Sequence, residues 1–300
     1  MKDGNTEIPA SEYTVSYINN VGVAASNDTN APTVTIKDNE NGNYTISETS
    51  IHFTITKAVL TENEIDIETL TYDGKAQDPE VKVGDRTLSQ NTDYTVIYSV
   101  MNGSGNYSVL GSTPINTGNY RAELTFMGCY DGVVTKEFII APCSIADATV
   151  ALDEPTSLVY DGSEKTVSVS SVTLKDNVLN MNVDYAVTGQ RTGTNEGTYT
   201  VIITGKANYT GTVYKTWTIT KANATITSAP TPIASLIANG QAQTLVTAGS
   251  ANGGTMQYAI GTNATTAPSS GWDTELPTGT NGTYYVWYKA VGKPNYNDTD

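Results

Sequence analysis

The sequence predicts an all-β protein built from several small antiparallel β-sandwiches in tandem. Strand-forming residues are abundant in the 300-residue chain, which has 19 Tyr against 3 Phe and is rich in Thr, Val and Ile. No stretch keeps an apolar period of about 3.6 residues long enough to indicate a long helix. Four short motifs also recur in a fixed order, and such self-similarity indicates repeated domains.

The first motif is a strand with an aromatic residue and an isoleucine two positions apart. Both side chains then face the same side of the strand, as expected for a pair that enters a core. The motif occurs at His52–Lys57, Glu137–Ala141 and Thr216–Lys221. The predicted core pairs are Phe53 with Ile55, Phe138 with Ile140, and Trp217 with Ile219.

The second motif is a turn that carries a tyrosine and separates two strands. Its tyrosines, 86, 79 and 87 residues apart, are Tyr44, Tyr130, Tyr209 and Tyr296. An alternating strand precedes each turn, and three of these strands follow a Gly-x pair, at Gly118, Gly197 and Gly282. A strand, a turn rich in Asn, Asp and Gly, and a second strand predict a β-hairpin.

The remaining motifs mark the start of a strand and a tight turn. An acidic residue followed by Tyr precedes alternating residues at Glu12, Asp93 and Asp184. The turn motif occurs as Tyr72-Asp73-Gly74, Tyr160-Asp161-Gly162 and Ala238-Asn239-Gly240. Asp or Asn followed by Gly accepts the positive φ that such turns require. We therefore predict structural roles for the repeat markers Tyr72, Gly74, Tyr160, Gly162, Tyr130, Tyr209, Phe138 and Trp217.

The order of the motifs predicts four domains, here called repeats 1 to 4. Repeat 1 (1–57) is the C-terminal part of a truncated unit, and repeats 2 (58–141) and 3 (142–221) are complete. Repeat 4 (222–300) is predicted to lack its last strand. Because almost no linker residues remain between the units, we expect restrained orientations and an elongated, monomeric rod.

The motif series resembles the immunoglobulin-like tandem repeats of large bacterial surface proteins, in particular the MBG or YDG repeats of Bacteroidetes and Firmicutes. The resemblance rests on Tyr-Asp-Gly, Asp-Tyr-Thr-Val, Gly-x-Tyr, Asn-Tyr-Thr-Gly and Trp-Thr-Ile-Thr-Lys-Ala, and covers most of the chain. It implies tandem immunoglobulin-like antiparallel β-sandwiches, secretion or surface display, and modules that space, present or adhere. Repeat 4 departs most, with Ser270-Gly271-Trp272 in place of Asp-Tyr.

Charge and hydropathy exclude several partners. The net charge is −15 with only 16 Lys and Arg, so no basic face is expected for nucleic acid or anionic lipid. No apolar run approaches the roughly 20 residues of a membrane span, so no membrane insertion is expected within this segment. Met1-Lys2-Asp3-Gly4 does not begin a signal peptide, and for a secreted or surface protein we expect signal and anchor outside this chain.

Aromatic residues of repeat 4 form the one candidate ligand-contact group. Trp272, Tyr285 and Trp287 could make a platform for stacking on a sugar, and Tyr285 and Trp287 share one strand face. The alternative is that these rings fill a core poor in Phe and Leu. The strand carries aromatic residues on both faces, so one face is expected to be exposed or to form an interface.

No catalytic, cofactor-binding or metal-binding residues are predicted. The single histidine, His52, has no Ser or Cys motif around it, and no carboxylate pair is marked out for glycoside hydrolysis. Two acidic segments, Glu62–Glu68 and Asp38–Asn43, suggest calcium ligands, but a charged strand face explains the first better and a hairpin turn explains the second better.

The sequence therefore predicts a non-enzymatic protein without cofactors. The leading hypothesis is a structural or presenting stalk segment of a secreted or cell-surface bacterial protein, adhesin-like in character. Its partner would be an extracellular protein or a glycan. The alternative is a carbohydrate-binding module centred on the aromatic residues of repeat 4.

Overall fold

A computed structural model of the chain describes residues 1–47 and 49–299. These residues form short strands that pair mostly in the antiparallel sense, with two 3-10 segments, η1 (Ala10–Glu12) and η2 (Glu62–Glu64), and no α-helix in the described part. The chain divides into two compact units, Met1–Cys143 and Ser144–Asp300. The limits of the four predicted repeats remain predictions.

Repeat 1 contains a three-stranded antiparallel sheet of β3, β4 and β5. Its strands are β1 (Lys2–Asp3), β2 (Thr6–Glu7), β3 (Tyr13–Ile18), β4 (Thr33–Asp38) and β5 (Thr49–His52). The predicted strand after His52 is wrong, because β5 ends there and Phe53 and Ile55 are only half-buried. Ile55 instead makes an isolated bridge with Ala24. Glu48 and Asp300 lie outside the described residues.

Repeat 2 is a sandwich of a three-stranded and a five-stranded sheet. Its strands are β6 (Ala58–Val59), β7 (Ile65–Ile67), β8 (Leu70–Thr71), β9 (Val81–Val83), β10 (Arg86–Thr87), β11 (Tyr94–Met101), β12 (Tyr107–Val109), β13 (Gly118–Phe126), β14 (Tyr130–Asp131) and β15 (Val133–Ala141). The sheet orders are β10-β9-β7 and β12-β11-β13-β15-β8. β8 pairs with β15 in parallel and the other pairs in this larger sheet are antiparallel.

The core of repeat 2 follows from alternation along its strands. Along β13, Tyr120, Ala122, Leu124 and Phe126 are buried, while Asn119, Glu123 and Thr125 are exposed. Successive side chains point to opposite faces of a strand, so this pattern buries one face. Phe138 and Ile140 on β15 are buried in the same cluster, which confirms the predicted core pair.

Repeat 3 repeats the central part of this arrangement. Its strands are β16 (Cys143–Ser144), β17 (Thr149–Asp153), β18 (Lys165–Thr166), β19 (Ser168–Leu174), β20 (Asn177–Val178), β21 (Tyr185–Gly189), β22 (Thr192–Gly193), β23 (Gly197–Gly205), β24 (Tyr209–Thr210) and β25 (Thr212–Ile219). The three-stranded sheets are β17-β19-β20 and β21-β23-β25. Trp217 and Ile219 are buried, so this predicted core pair is also confirmed.

Repeat 4 has smaller sheets. Its strands are β26 (Ala222–Asn223), β27 (Thr225–Ser228), β28 (Gln243–Thr244), β29 (Ser250–Asn252), β30 (Gly254–Gly261), β31 (Thr278–Gly279), β32 (Tyr285–Gly292) and β33 (Tyr296–Asn297). β30 pairs with β32, β27 with β29, and β28 with β31, all antiparallel. Ala224, Met256, Tyr258 and Ala290 form its small buried core.

The recurring turns have one geometry in repeats 2, 3 and 4. Gly74, Gly162 and Gly240 have φ of +83°, +80° and +78°, values that glycine adopts without the strain a side chain would bring. In each turn the preceding Asp or Asn side chain accepts a hydrogen bond from the backbone N–H two residues on, at 2.8 to 3.0 Å. This is the Asx-turn expected of these residue types.

Candidate functional site

The predicted ligand-contact residues lie on the outer face of the β30–β32 pair. Trp287 is paired with Ala259 and Tyr285 with Gly261, so both rings project from the same side of the sheet. Trp272, in the loop before β31, joins them. The Lys289 ammonium on β32 lies 4.7 Å from the centroid of the Trp272 ring. We call Trp272, Tyr285, Trp287 and Lys289 the outer aromatic surface.

The two indoles of this surface are held by backbone carbonyl groups of one loop. Trp287 Nε1 donates to the Asn263 carbonyl at 3.1 Å, and Trp272 Nε1 donates to the Pro268 carbonyl at 2.9 Å. Both tryptophans are half-buried, whereas Tyr285 is 39% exposed. One face of Trp272 is covered by Lys289 in a cation–π contact. Tyr285 is therefore the most exposed of the three rings.

The opposite face of β32 borders an apolar groove that sequence reasoning did not assign. The groove encloses ≈ 310 Å³ and is lined by Pro230, Pro232, Leu245, Val246, Tyr284, Val286 and Tyr288. It continues past Tyr284 into a smaller recess bordered by Leu236, Ile237 and Gln243. The signal that could have located it is the aromatic residues on both faces of one strand.

A joint between repeats 3 and 4 lies within the unit Ser144–Asp300. The Asn295 side chain accepts a hydrogen bond from Glu196 N at 2.8 Å and donates one to Asn195 Oδ1 at 3.1 Å. Next to it, the rings of Tyr160 and Tyr296 meet edge to face, with centroids 5.3 Å apart. The turn tyrosine of repeat 4 therefore contacts the Tyr-Asp-Gly tyrosine of repeat 3.

The predicted structural markers occupy different surroundings in different repeats. Tyr130 is buried within repeat 2, with its ring 6.4 Å from that of Phe126. Tyr296 borders the core of repeat 4 and also contacts Tyr160 of repeat 3. Tyr296 therefore packs both within its own repeat and against the neighbouring one. Tyr44, Tyr72 and Tyr209 are half-buried.

Repeat 2 carries a charged cluster that the motifs did not indicate. The Arg121 guanidinium lies 3.9 Å from the centroid of the Tyr107 ring and donates to Glu137 Oε1 at 2.8 Å. This hydrogen bond, with a smaller effect from Tyr107, lowers the pKa of the Glu137 carboxyl below its ordinary value. Glu62, Thr135 and Lys136 border the same shallow groove.

The acidic run Glu62–Glu68 in repeat 2 does not form one continuous strand with a charged face. Glu62–Glu64 is a 3-10 turn, and the strand β7 begins only at Ile65. The Glu64 carboxylate accepts hydrogen bonds from Thr61 N at 2.8 Å and Thr61 Oγ1 at 2.7 Å, a capping arrangement that satisfies the start of the turn. These bonds lower the pKa of Glu64.

His52 pairs with a hydroxyl group and not with a nucleophile–acid grouping. His52 Nδ1 lies 2.8 Å from Thr33 Oγ1, on the neighbouring strand. Within residues 1–47 and 49–299, His, Cys, Asp and Glu do not form a group of three or more suited to hold a metal ion. In the same part of the chain, no helix is long and apolar enough to cross a membrane.

The strand order defines the class of the protein. In the immunoglobulin fold, strands C, F and G form one sheet, to which variable-type domains add C′. The order β12-β11-β13-β15 in repeat 2 corresponds to C′-C-F-G, and β21-β23-β25 in repeat 3 corresponds to C-F-G. The chain is thus an all-β protein of tandem immunoglobulin-like β-sandwiches.

Comparison with known proteins adds only distant likenesses. No family model matches the chain, and no curated protein matches it. Among solved structures it is similar to the protocadherin gamma B4 extracellular domain, at 10% identity and a TM-score of 0.21, over 95% of this chain but only 57% of that one. Protocadherin gamma B7 EC3-6 is 14% identical, with a TM-score of 0.21 and coverage of 95% and 91%.

A further similar structure is the Bacteroides ovatus mixed-linkage glucan utilization locus SGBP-B in complex with mixed-linkage heptasaccharide. It is 15% identical, with a TM-score of 0.14, over 92% of this chain and 81% of that one. The assignment to the immunoglobulin-like class rests on the strand order described above.

Proposed function

We propose that this chain is a non-catalytic, structural segment that spaces or presents other parts of a secreted or cell-surface bacterial protein. The bacterial and extracellular assignment is supported by the resemblance to MBG or YDG repeats. The spacing role is supported by one structural observation, the bonded joint between repeats 3 and 4. A spacer needs neighbouring domains whose relative orientation is restrained.

The joint restrains the connecting residues from both sides. Tyr160 N donates to the Thr220 carbonyl at 2.8 Å, which ties the end of repeat 3 to its own sandwich. Only two residues later, Ala222 N donates to the Asn295 carbonyl at 3.0 Å in repeat 4. Lys221 lies between Thr220 and Ala222 and takes part in neither of these two hydrogen bonds.

The position of Lys221 provides an experiment on the full chain. Trypsin cleaves after lysine, so cleavage after Lys221 measures how often the joint opens. Asn295→Gly removes the side-chain bonds to Asn195 and Glu196 while keeping a residue that accepts the φ of +75° at this position. Two hydrogen bonds of about 1 kcal/mol each predict cleavage roughly tenfold faster or more.

A matched control separates joint opening from general unfolding. Tyr214→Ala alters a tyrosine that is 66% exposed on β25 of repeat 3 and is expected to leave cleavage after Lys221 unchanged. Equal cleavage rates for Asn295→Gly and the unaltered protein would show that the joint does not restrain the two repeats, and the spacer proposal would lose its support.

The outer aromatic surface supports carbohydrate binding as a second candidate function. Tyr285 and Trp287 project from one face with their backbone and indole positions held, as stacking on a sugar ring requires. A glycan array with the full chain, followed by titration of tryptophan fluorescence, tests this. Binding that is lost in Tyr285→Ala and kept in Tyr288→Ala would establish it, and an array without signal would remove it.

A further inference from the structure

Repeat 2 carries an edge strand that repeat 3 lacks. β12 pairs with β11 at one edge of the five-stranded sheet, whereas in the described residues of repeat 3 the matching sheet ends at β21. The connection that contains β12 runs from Met101 to Gly118, and the matching connection of repeat 3, from Gly189 to Gly197, is shorter. Repeat 3 buries its core without this extra strand. A segment that occurs in one repeat and is not required for the shared core is a candidate for binding.

The backbone of β12 presents donors and acceptors on its outer edge. Leu110 N donates to the Tyr98 carbonyl at 2.7 Å, and Ser108 lies opposite the second residue after Tyr98. Hydrogen-bonded and non-hydrogen-bonded pairs alternate in an antiparallel ladder, so Ser108 also bonds to β11, whereas Tyr107 and Val109 direct their N–H and C=O groups away from it. Across the described part of the chain, β12 pairs with β11 alone.

The same edge is free of charge in a strongly acidic chain. The net charge is −15, yet no Asp, Glu, Lys or Arg occurs from Tyr94 to Tyr120. Val109 is 73% exposed, and Ile97, on the same face of the neighbouring strand, is 52% exposed. Charged side chains or proline commonly protect edge strands from pairing, and β12 contains neither. Two copies of the chain can therefore meet along this edge without opposing like charges.

We propose that a second copy of this chain pairs with β12 in the antiparallel sense, about a two-fold axis that passes between the two Ser108 residues. In this register the Tyr107 N–H of each copy donates to the Val109 carbonyl of the other, and the Val109 N–H donates to the Tyr107 carbonyl. Every outward-facing backbone group of Tyr107 and Val109 is then bonded. Each tyrosine also lies opposite a valine, and the patch is complementary to itself, as two-fold symmetry requires.

The Tyr107 ring is already held in place in the single copy. The Arg121 guanidinium lies 3.9 Å from the centroid of this ring and donates to Glu137 Oε1 at 2.8 Å. Less side-chain entropy is therefore lost when the second copy binds. Because β12 spans only three residues, we expect a reversible dimer and not a permanent one. This association departs from the monomer expected from the sequence, and it is independent of the spacer function.

Sedimentation velocity of the full chain over a series of protein concentrations tests the association. We expect the weight-average sedimentation coefficient to rise with concentration. Val109→Pro removes an N–H that faces the open edge, a position where a strand tolerates proline, and it should weaken the association roughly tenfold or more, because each dimer loses this bond twice.

A charge variant with a matched control separates this edge from the rest of the surface. Val109→Glu adds a negative charge at the two-fold axis and should also weaken the association. Val133→Glu makes the same change at a valine that is 62% exposed on β15, in the same sheet, and should leave the association unchanged.

A cysteine at the two-fold axis tests the register directly. In a Cys129→Ser, Cys143→Ser background, Ser108→Cys should form a disulfide-linked dimer with oxidised glutathione, because non-hydrogen-bonded pairs have Cα atoms about 4.5 Å apart. Ser104→Cys, at an exposed position before β12, should link more slowly. A chain that stays monomeric at every concentration, equal effects of Val109→Glu and Val133→Glu, or equally fast linking of the two cysteine variants would overturn the proposal.

Discussion

The indole of Trp217 stacks on the ring of Tyr199, with centroids 4.7 Å apart and planes inclined by 23°. Phe138 and Tyr120 make the same contact in repeat 2, at 5.5 Å and 25°. The contact joins β25 to β23 in repeat 3 and β15 to β13 in repeat 2. Two motifs that are separate in the sequence therefore recur together because their aromatic residues form one pair in the core.

Replacing the buried aromatic residue of this pair should destabilise repeat 3. Trp217→Ala is expected to lower its free energy of unfolding by about 3–5 kcal/mol, because a large cavity replaces a 3% exposed ring. Trp217→Phe should cost less, since Phe fills the matching position in repeat 2. Urea unfolding of the full chain, monitored repeat by repeat with hydrogen exchange, measures both. A loss as large in Tyr214→Ala, on the exposed face of β25, would contradict the prediction.

A side chain at the glycine of the Tyr-Asp-Gly turn should destabilise the repeat. Gly162 has a φ of +80° and only Tyr160 Oη, at 4.0 Å, near the place of an added Cβ, so strain comes from the backbone alone. Gly162→Ala is expected to cost about 1–2 kcal/mol. Gly103→Ala, at an open position without positive φ, is the control. Equal thermal unfolding of the two variants would show that the turn does not need its left-handed residue.

The acidic residue before β21 should matter for stability through its hydrogen bonds. Asp184 Oδ2 accepts from Asn180 N at 2.7 Å, and Asp93 accepts from Ser89 N at 3.0 Å in repeat 2. Asp184→Ala is expected to destabilise repeat 3 by about 1–3 kcal/mol, because a loop N–H loses its acceptor. Asp176→Ala, at an exposed position, should have little effect in the same urea unfolding. A comparable loss there would point to net charge instead.

The Arg121–Glu137 pair should show a pH dependence of defined sign. Because Arg121 lowers the pKa of Glu137, the pair contributes to stability above the ordinary pKa of a glutamate, and this contribution is lost as the pH falls through the lowered pKa. Arg121→Gln should return the Glu137 pKa upward, as measured by carbon-13 NMR titration of the carboxyl group. Arg191→Gln removes an arginine charge elsewhere in the chain and should leave the Glu137 pKa unchanged. An unchanged Glu137 pKa in Arg121→Gln would refute the assigned cause.

The sequence by itself determined the recurring tight turns of repeats 2 to 4 and two of the three predicted core pairs. Phe138 with Ile140 and Trp217 with Ile219 are buried as predicted, because alternation along a strand is a local property that neighbouring residues express directly. The positive φ at Gly74, Gly162 and Gly240 could also be predicted from the sequence, because the residues that define such a turn are adjacent in the chain.

Tertiary structure alone decided three other features of the chain. The contact of Tyr160 with Tyr296, the half-exposed Phe53 and Ile55, and the face of β32 that borders the groove are not visible in the residues themselves. Each depends on which distant segments meet and on which positions remain uncovered when they do. A strand pattern defines two faces, but only the packing of the other strands decides which of them is closed.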